Sequence, residues 1–516
     1  MRYIYNIAAL LITLLCAVSC IEEPNMTIEE IERRSLREWI TEYHPELLNN
    51  YQEEGEYYVE ILNEGVMDSV TVTGKDVWVW YDFTSRSLQG NLLETRNVDI
   101  ATQINTYNKH THYVPAYRFS GKDSHTLMEG TYLATFNKLK IGDTELEVRY
   151  GTKLRLYLPS SVVGDSQTND GGYEGEFAID SNKPMIVDMT IYGHVGNPVA
   201  YEGERVTAFA NVNGGVCNEH RAEKDEEEKE TKRVRRSTTR TEGGENESEE
   251  EVDTRPLEFF DGRWHLPNDT LEHLLVNYNY TPEKSFDFKN SLGLDTLKYP
   301  EENIYTKGNV YANTDLDSRI NEALIKRFGK GIAGDEEILD ADSIHTNATA
   351  KVWYIGRFLD GFIFDTNIDE VTEILYGEVK NKGEALTFQT KDPVEENDYI
   401  LAWEYALPTL RLGQWAAIVT VSTYGYGISG KIGSHTSTTT TDSTYDYASY
   451  YNYMNYMNNY YGGYYGYGNM YNQGYYGYNP YYYGYTPQVT TTTVTTTSAE
   501  IPAFSPLLFQ VFVEKE

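Results

Sequence analysis

Short stretches in which apolar residues alternate with polar ones or run together occur along most of the chain, and such stretches are typical of β-strands. They lie at 57–61, 77–81, 146–150, 154–158 and 185–191, and again at 350–355, 416–421 and 507–513. They predict a first region of mainly antiparallel sheet over about 55–196 and a second ordered region that begins near residue 257.

Helical spacing is clearest in two other segments. Within 24–50, apolar residues recur at helical spacing as far as Ile40. Thr27, followed by Glu30 three residues later, has the sequence of a capping box that would begin this helix. A second helix is predicted over 316–328, where apolar residues form one stripe.

Two segments of biased composition interrupt these patterns. Residues 221–255 consist of acidic and basic blocks with few apolar residues, which predicts a charged, disordered linker that we place at 197–256. Residues 431–499 begin rich in Ser and Thr, become rich in Tyr, Gly and Asn, and end rich in Thr. Because neither the helical nor the strand period is present there, we interpret 431–499 as a low-complexity insertion.

Composition narrows the classes of function. The 516 residues suffice for about two to four domains. Asp and Glu number 79 against 43 Lys and Arg, and the net charge of −36 argues against a protein that binds the phosphate backbone of nucleic acids. The three cysteines, Cys16, Cys20 and Cys217, are too few for a disulfide framework or a zinc site.

The N-terminus has the pattern of an export signal. The apolar run at 4–18 is too short to span a bilayer comfortably and is typical of a signal peptide. It ends in Ala17-Val18-Ser19-Cys20, which resembles the lipobox of bacterial lipoproteins, and that resemblance implies lipidation of Cys20. An ordinary signal peptide with an incidental cysteine is the alternative.

The residues after Cys20 bear on localisation. Ile21-Glu22-Glu23 is similar to the surface-export signal of lipoproteins from Bacteroidetes-type bacteria. We therefore expect a lipid-anchored outer-membrane protein on either the periplasmic or the cell-surface face, and the sequence leaves the choice of face open.

Four blocks in the C-terminal half resemble FK506-binding-protein (FKBP) type peptidyl-prolyl isomerases. In the family's order they are VWYIG at 352–356 with DGFIFD at 360–365, ILAWEYAL at 400–407, STYGYG at 422–427, and IP at 501–502 with SPLLF at 505–509. The resemblance implies a curved antiparallel sheet wrapped around one short helix, with a ligand pocket between them.

The resemblance also implies which residues line that pocket: Tyr354, Phe364, Asp365, Ile400, Trp403, Tyr426, Ile501 and Phe509. Trp403 would form the floor, while the Ile400 backbone N–H and the Tyr426 hydroxyl would donate to substrate carbonyls. Asp365 would lie beside the twisting amide or orient Tyr426. No cofactor or metal is implied. The alternative is that these aromatic residues only pack a core.

Some residues depart from the family's pattern. Ala402 replaces the usual glycine before the tryptophan, and Leu386 stands where an aromatic residue is common. The insertion 431–499 falls in the family's hairpin loop over the pocket. It would capture a partner, cover the pocket, or be a tolerated loop, since long loops cost little closure entropy.

The first region resembles a degenerate second copy. Val79-Trp80-Tyr81 matches the first block, and 158–164 keeps the Pro-Ser turn. Leu93, Glu94 and Val187 replace the aromatic, aspartate and phenylalanine of the pocket. We expect an FKBP-like fold there without isomerase activity.

The predicted fold class is therefore α+β, with tandem FKBP-like domains. The predicted divisions are a signal peptide at 1–19, a tether and helix at 20–54, a degenerate domain at 55–196, the linker at 197–256 and an isomerase domain at 257–516.

The expected function is prolyl isomerisation or chaperoning of exported proteins, with proline-containing polypeptides as partners. The alternative is a non-catalytic surface lipoprotein whose Tyr-rich insertion holds a protein or glycan.

Overall fold

Two mainly antiparallel sheets, each accompanied by helices, make up most of the described part of the chain. The computed structural model describes residues 27–66, 76–90, 92–95, 97–103, 107–120, 127–163, 184–217, 260–268, 270–288, 314–331, 338, 341, 344, 349–377, 379, 382–390, 399–431, 435–442, 489–496 and 500–514. The predicted signal peptide, the predicted acylation site Cys20 and most of the predicted linker lie outside these residues. Within them, no helix is long and apolar enough to cross a bilayer.

Helix α1 (Ile28–Tyr43) begins at the predicted cap. Glu30 N donates to Thr27 Oγ1 at 3.2 Å, and Thr27 N donates to the Glu30 carboxylate at 2.9 Å, so the capping box is confirmed. Ile40 is fully buried on the inner face of the helix. A 3₁₀ turn over Pro45–Asn50 then leads into the first sheet.

The N-terminal sheet follows. The strands of this region are β1 (Tyr51–Gln52), β2 (Tyr57–Glu64), β3 (Val77–Ser87), β4 (Leu92–Thr95), β5 (Ala116–Ser120), β6 (Leu139–Ile141), β7 (Thr144–Leu146), β8 (Thr152–Leu158) and β9 (Met185–Val195). β6 and β7 pair as a separate hairpin, while the others form one sheet in the order β1-β2-β8-β9-β3-β4, with β5 also paired to β3. Helices α2 (Val98–Gln103) and α3 (Glu129–Phe136) accompany the sheet, and Leu133 of α3 packs into its core.

One strand prediction in this region is wrong. We expected a strand at 146–150, but β7 ends at Leu146. Thr152 N donates to Arg149 O at 3.1 Å, and Arg149 N donates to Thr152 Oγ1 at 2.9 Å. This local turn, with Gly151 at a φ of 82°, redirects the chain into β8 and prevents an extended pairing.

The C-terminal sheet has a similar strand order. Its strands are β10 (Val216–Cys217), β11 (Trp264–His265), β12 (Leu274–Asn277), β13 (Thr349–Phe358), β14 (Ile363–Thr366), β15 (Leu386–Gln389), β16 (Trp415–Thr420) and β19 (Leu507–Val513). They are ordered β10-β11-β12-β16-β19-β13-β14, with β15 also paired to β13, and only the short β10–β11 pair of this sheet is parallel among the residues described. Helices in this region are α4 (Pro198–Val212), α5 (Thr314–Phe328), α6 (Asp369–Tyr376) and α7 (Leu401–Ala406).

The linker prediction began too early. We expected a disordered linker from residue 197, but residues 198–212 form α4. Asn197 caps this helix, because its side chain accepts from Ala200 N at 3.2 Å. Val206 and Phe209 are fully buried, so the helix is part of the core. Glu202 and Glu204 in the first half of the helix interrupt its apolar face and conceal the helical spacing in the sequence.

The insertion forms a compact unit of its own over 433–499. Its Thr-rich ends form β17 (His435–Asp442) and β18 (Val489–Thr496), which pair antiparallel in continuous register. We did not predict these strands, because successive threonines show no alternation, although β-branched residues favour extended backbone. Its Tyr-rich centre lies outside the described residues.

Candidate functional site

Five aromatic rings meet on the C-terminal sheet and its helix α7, all from residues that the sequence assigned to the pocket. Trp403 contacts Tyr354 and Phe509 with ring centroids 5.0 and 5.5 Å apart, and both pairs are nearly perpendicular. Phe364 contacts Phe509 at 5.9 Å and Tyr426 at 6.2 Å, again edge to face. The rings form one contiguous cluster in the geometry that aromatic pairs prefer.

Strand pairing brings most of these residues together. In the register of β13, Gly356 lies opposite Asp365 of β14 on one side and Phe509 of β19 on the other. The Phe364 ring crosses Gly356 so closely that a Cβ there would be 2.6 Å from the ring. A glycine at 356 is therefore what allows the Phe364 ring to lie against the strand.

Trp403 is positioned by the first turn of α7. This helix begins after Ile400, whose carbonyl accepts from Trp403 N at 2.9 Å and Glu404 N at 3.3 Å. The Trp403 side chain is buried, and its Nε1 has no hydrogen-bond partner among the described residues. The cluster therefore holds a buried indole N–H whose hydrogen-bonding capacity is not used by the described residues.

A hydroxyl–carboxylate pair lies at the edge of the cluster. Tyr354 Oη donates to Asp365 Oδ2 at 2.9 Å. We expected Asp365 to lie beside the reacting amide or to orient Tyr426; among the described residues its hydrogen bond is with Tyr354. Its charge still acts on Tyr426: burial, and then Asp365, raise the pKa of Tyr426 to about 12. The same two causes raise the pKa of Tyr354, so both hydroxyls stay protonated at neutral pH.

Two residues that sequence reasoning missed border the site. Tyr376 lies at the end of α6. Burial is the main cause that raises the pKa of its hydroxyl to about 12, and the negative charge of Asp365 is the second. The Lys431 ammonium lies 5.3 Å above the Tyr426 ring. Lys431 also exchanges two 2.8 Å backbone hydrogen bonds with the buried, predicted pocket residue Ile501. Neither residue belongs to a recognisable block, and only the fold places them here.

Among the described residues, the equivalent place in the N-terminal sheet has an aliphatic residue where the cluster has Phe509. Ser85 lies opposite Glu94 and Val187, as Gly356 lies opposite Asp365 and Phe509. Val187 is buried in a core built mostly of aliphatic residues. The registers therefore make Glu94 and Val187 the counterparts of pocket residues, and Val187 has an aliphatic side chain where Phe509 has a ring.

Residues of the N-terminal region reach the border of the candidate site. His110 stacks on Tyr376 with ring centroids 4.1 Å apart. The buried His112 Nε2 lies 2.5 Å from Asp360 Oδ2, just before β14. The two sheets are therefore joined through a specific, buried polar contact.

In the described part of the chain, no group of three or more His, Cys, Asp or Glu side chains is arranged to hold a metal ion. The ring cluster with its N–H and O–H donors suits the binding of a largely apolar group that carries hydrogen-bond acceptors.

No protein-family model and no curated protein matches the chain. Among solved structures, the three FKBP domains of wheat FKBP73 are 11% identical over 90% of this chain and 95% of that chain, with a TM-score of 0.18. A peptidyl-prolyl cis-trans isomerase from Pseudomonas syringae is 15% identical over 32% of this chain and 94% of its own, with a TM-score of 0.21. FkpA from Escherichia coli is 12% identical over 37% and 70%, also at 0.21. At TM-scores this low the likeness carries no argument.

Proposed function

We propose that the ring cluster is the active site of an FKBP-type peptidyl-prolyl cis-trans isomerase that assists the folding of exported, proline-containing polypeptides. The observation that carries the proposal is the contiguous set of rings from Tyr354 to Tyr426, with the Tyr354–Asp365 hydrogen bond at its edge.

Such a site suffices for this reaction. Rotation about an X-Pro amide meets a barrier of about 18–20 kcal/mol, because resonance stabilises the planar form. The twisted amide is less dipolar than the planar one, so an apolar aromatic pocket disfavours the ground state relative to the transition state. A few fixed donors add orientation, and no nucleophile is needed.

Each residue has a role in this proposal. Trp403 and Phe509 hold the proline ring, since their rings are perpendicular and in contact. The Tyr426 hydroxyl, protonated at neutral pH, donates to a substrate carbonyl, and the Ile400 backbone N–H donates to another. Asp365 fixes Tyr354, which packs on the Trp403 ring.

The proposal extends to the whole chain as a tandem of FKBP-like domains. The shared strand order and the matching registers at Ser85 and Gly356 support it. Val187 in place of Phe509 supports a non-catalytic N-terminal domain. We further propose that Cys20 is acylated and anchors the protein at the outer membrane; a Cys20→Ala variant should not incorporate labelled palmitate.

Exchange NMR on proline tetrapeptides, with the full-length protein, tests the isomerase proposal. Trp403→Leu should lower the catalysed exchange rate by at least about tenfold, equivalent to about 1.4 kcal/mol of transition-state stabilisation. Tyr354→Phe should lower it more mildly. Tyr192→Phe is the matched control, because Tyr192 Oη also donates to a carboxylate, Asp82, at 2.9 Å, but in the N-terminal sheet. No catalysis by the folded wild-type protein, or equal loss in Tyr192→Phe, would sink the proposal.

A second candidate is a binding protein whose insertion holds a partner. The paired strands β17 and β18 favour it, since they bring the two ends of the Tyr-rich segment close together. Replacement of residues 443–488 by a Gly-Ser loop should then abolish binding on a glycan array or to surface proteins, while Trp403→Leu should leave it unchanged.

A further inference from the structure

Glu202 in α4 contacts the loop that carries Tyr426. Its side chain is fully buried. Ser422 N donates to Glu202 Oε2 at 2.5 Å, and Ser422 Oγ donates to Glu202 Oε1 at 2.7 Å. One carboxylate therefore satisfies both donors of Ser422, across 220 residues of sequence.

Ser422 in turn fixes the backbone on both sides of Tyr426. The Ser422 carbonyl accepts from Gly425 N at 2.9 Å and from Gly427 N at 2.8 Å. A shift of Ser422 would therefore move the 424–425 and 426–427 peptide groups, which lie on either side of Tyr426. The Tyr426 hydroxyl depends on this anchor, because a 3₁₀ turn of only three residues, Ser422–Tyr424, connects it to the end of β16.

The same contact occurs in the N-terminal region. Glu32, like Glu202, is the fifth residue of a helix that has a side-chain N-cap, and it is buried. It accepts from Ser160 N at 2.6 Å and from Ser160 Oγ at 2.5 Å. Ser160, like Ser422, comes two residues after the end of a central strand. The same Glu–Ser contact therefore occurs in both regions of the chain. In the N-terminal region it supports no ring cluster among the described residues.

We infer that Glu202 is a positioning residue for the candidate active site, acting through Ser422 on Tyr426, so that the functional unit begins at α4 and not after the charged segment. This inference rests on the proposed function for its kinetic consequence. It explains why a carboxylate is retained in a buried site, where desolvation is costly unless donors satisfy it.

The contact between Glu202 and Ser422 does not depend on the protonation state of Glu202. Burial raises the pKa of Glu202, while the hydrogen bonds from Ser422 oppose that shift. A protonated carboxyl would still accept from Ser422 N and would donate to Oγ, and glutamine reproduces that pattern. Glu202→Gln is therefore the conservative variant, and Glu202→Ala is the disruptive one.

The test is a set of matched variants assayed in the full-length protein on a proline tetrapeptide. Glu202→Ala should lower kcat/KM by about tenfold, and Glu202→Gln should restore it to within about twofold of wild type. Glu32→Ala removes the same contact from the other copy and should leave kcat/KM unchanged, even if its unfolding midpoint falls equally.

A double-mutant comparison distinguishes a positioning role of Glu202 from general destabilisation of the protein. In a Tyr426→Phe background, Glu202→Ala should cause little additional loss, because the group that it positions is already absent. Losses that multiply, or an equal loss in Glu32→Ala, would overturn the inference. If Glu202→Ala does not fold, Ser422→Ala against Ser160→Ala makes the same comparison.

A ligand-free readout distinguishes this inference from the proposed function. With ¹³C-labelled tyrosine, the Tyr426 ring resonance should shift in Glu202→Ala and not in Glu32→Ala. Wild-type protein without isomerase activity would refute the proposed function alone. An unshifted Tyr426 resonance in Glu202→Ala would refute the positioning role, whatever the activity.

Discussion

Gly356→Ala tests whether the site depends on close packing of the Phe364 ring on β13. The added Cβ would lie 2.6 Å from Phe364 Cζ, whereas carbon atoms in contact prefer about 3.5–4.0 Å. The ring has to move by about 1 Å. It has little room to do so, because Phe358, Phe509 and Tyr426 surround it with centroids 5.1, 5.9 and 6.2 Å away.

Overpacking of this kind costs about 1–3 kcal/mol, and the enclosure of Phe364 on several sides favours the upper half of that range. Guanidinium unfolding followed by fluorescence should therefore show a lower midpoint at unchanged slope. Displacement of Phe364 towards Tyr426 should also lower kcat/KM by about tenfold.

Two controls make the prediction specific. Gly196→Ala meets no atom within 4 Å and should be neutral in both assays. Phe364→Leu in the Gly356→Ala background supplies room for the new methyl group, so the double variant should be more stable than the sum of the two single effects. Strict additivity, or a neutral Gly356→Ala, would show that the ring is not confined as described.

Four further outcomes are expected. A fragment of residues 257–516 lacks buried Val206 and Phe209 of α4 and should be less stable than 197–516 by about 3 kcal/mol or more, measured by guanidinium unfolding. His112→Ala leaves the buried Asp360 carboxylate without its imidazole partner and should lower the free energy of unfolding by about 2 kcal/mol; an unchanged thermal midpoint would contradict this. The raised pKa of Tyr426 predicts that the catalysed rate stays constant from pH 7 to about 10. A rate that already falls before the pH is raised to 9 would refute the role of Tyr426 as a protonated donor. Because folding raises this pKa, the native state binds more protons than the unfolded state above pH 10, so stability should fall as pH rises from about 10 to about 12.

Local pattern predicted two of the helices and seven of the strands. The α1 capping box, the helix at 314–328 and the strands β2, β3, β8, β9, β13, β16 and β19 all follow from periodicity or caps within a few residues. Prediction was wrong at 146–150 and at α4, where a short turn and interspersed acidic residues outweigh the apolar pattern.

The sequence by itself determined which residue types occupy the candidate site, because the four blocks keep the order and spacing of rings that one hairpin, one helix and one final strand bring together. It did not determine what holds them. Glu202 reaches Ser422 across 220 residues and His112 reaches Asp360 across 248 residues, and each is an ordinary charged or polar residue in its local context. The spacing of apolar residues shows only which residues of a single helix or strand lie on the same face. A buried carboxylate that satisfies a distant serine is specified by the packing of two elements, so only the tertiary structure decides it.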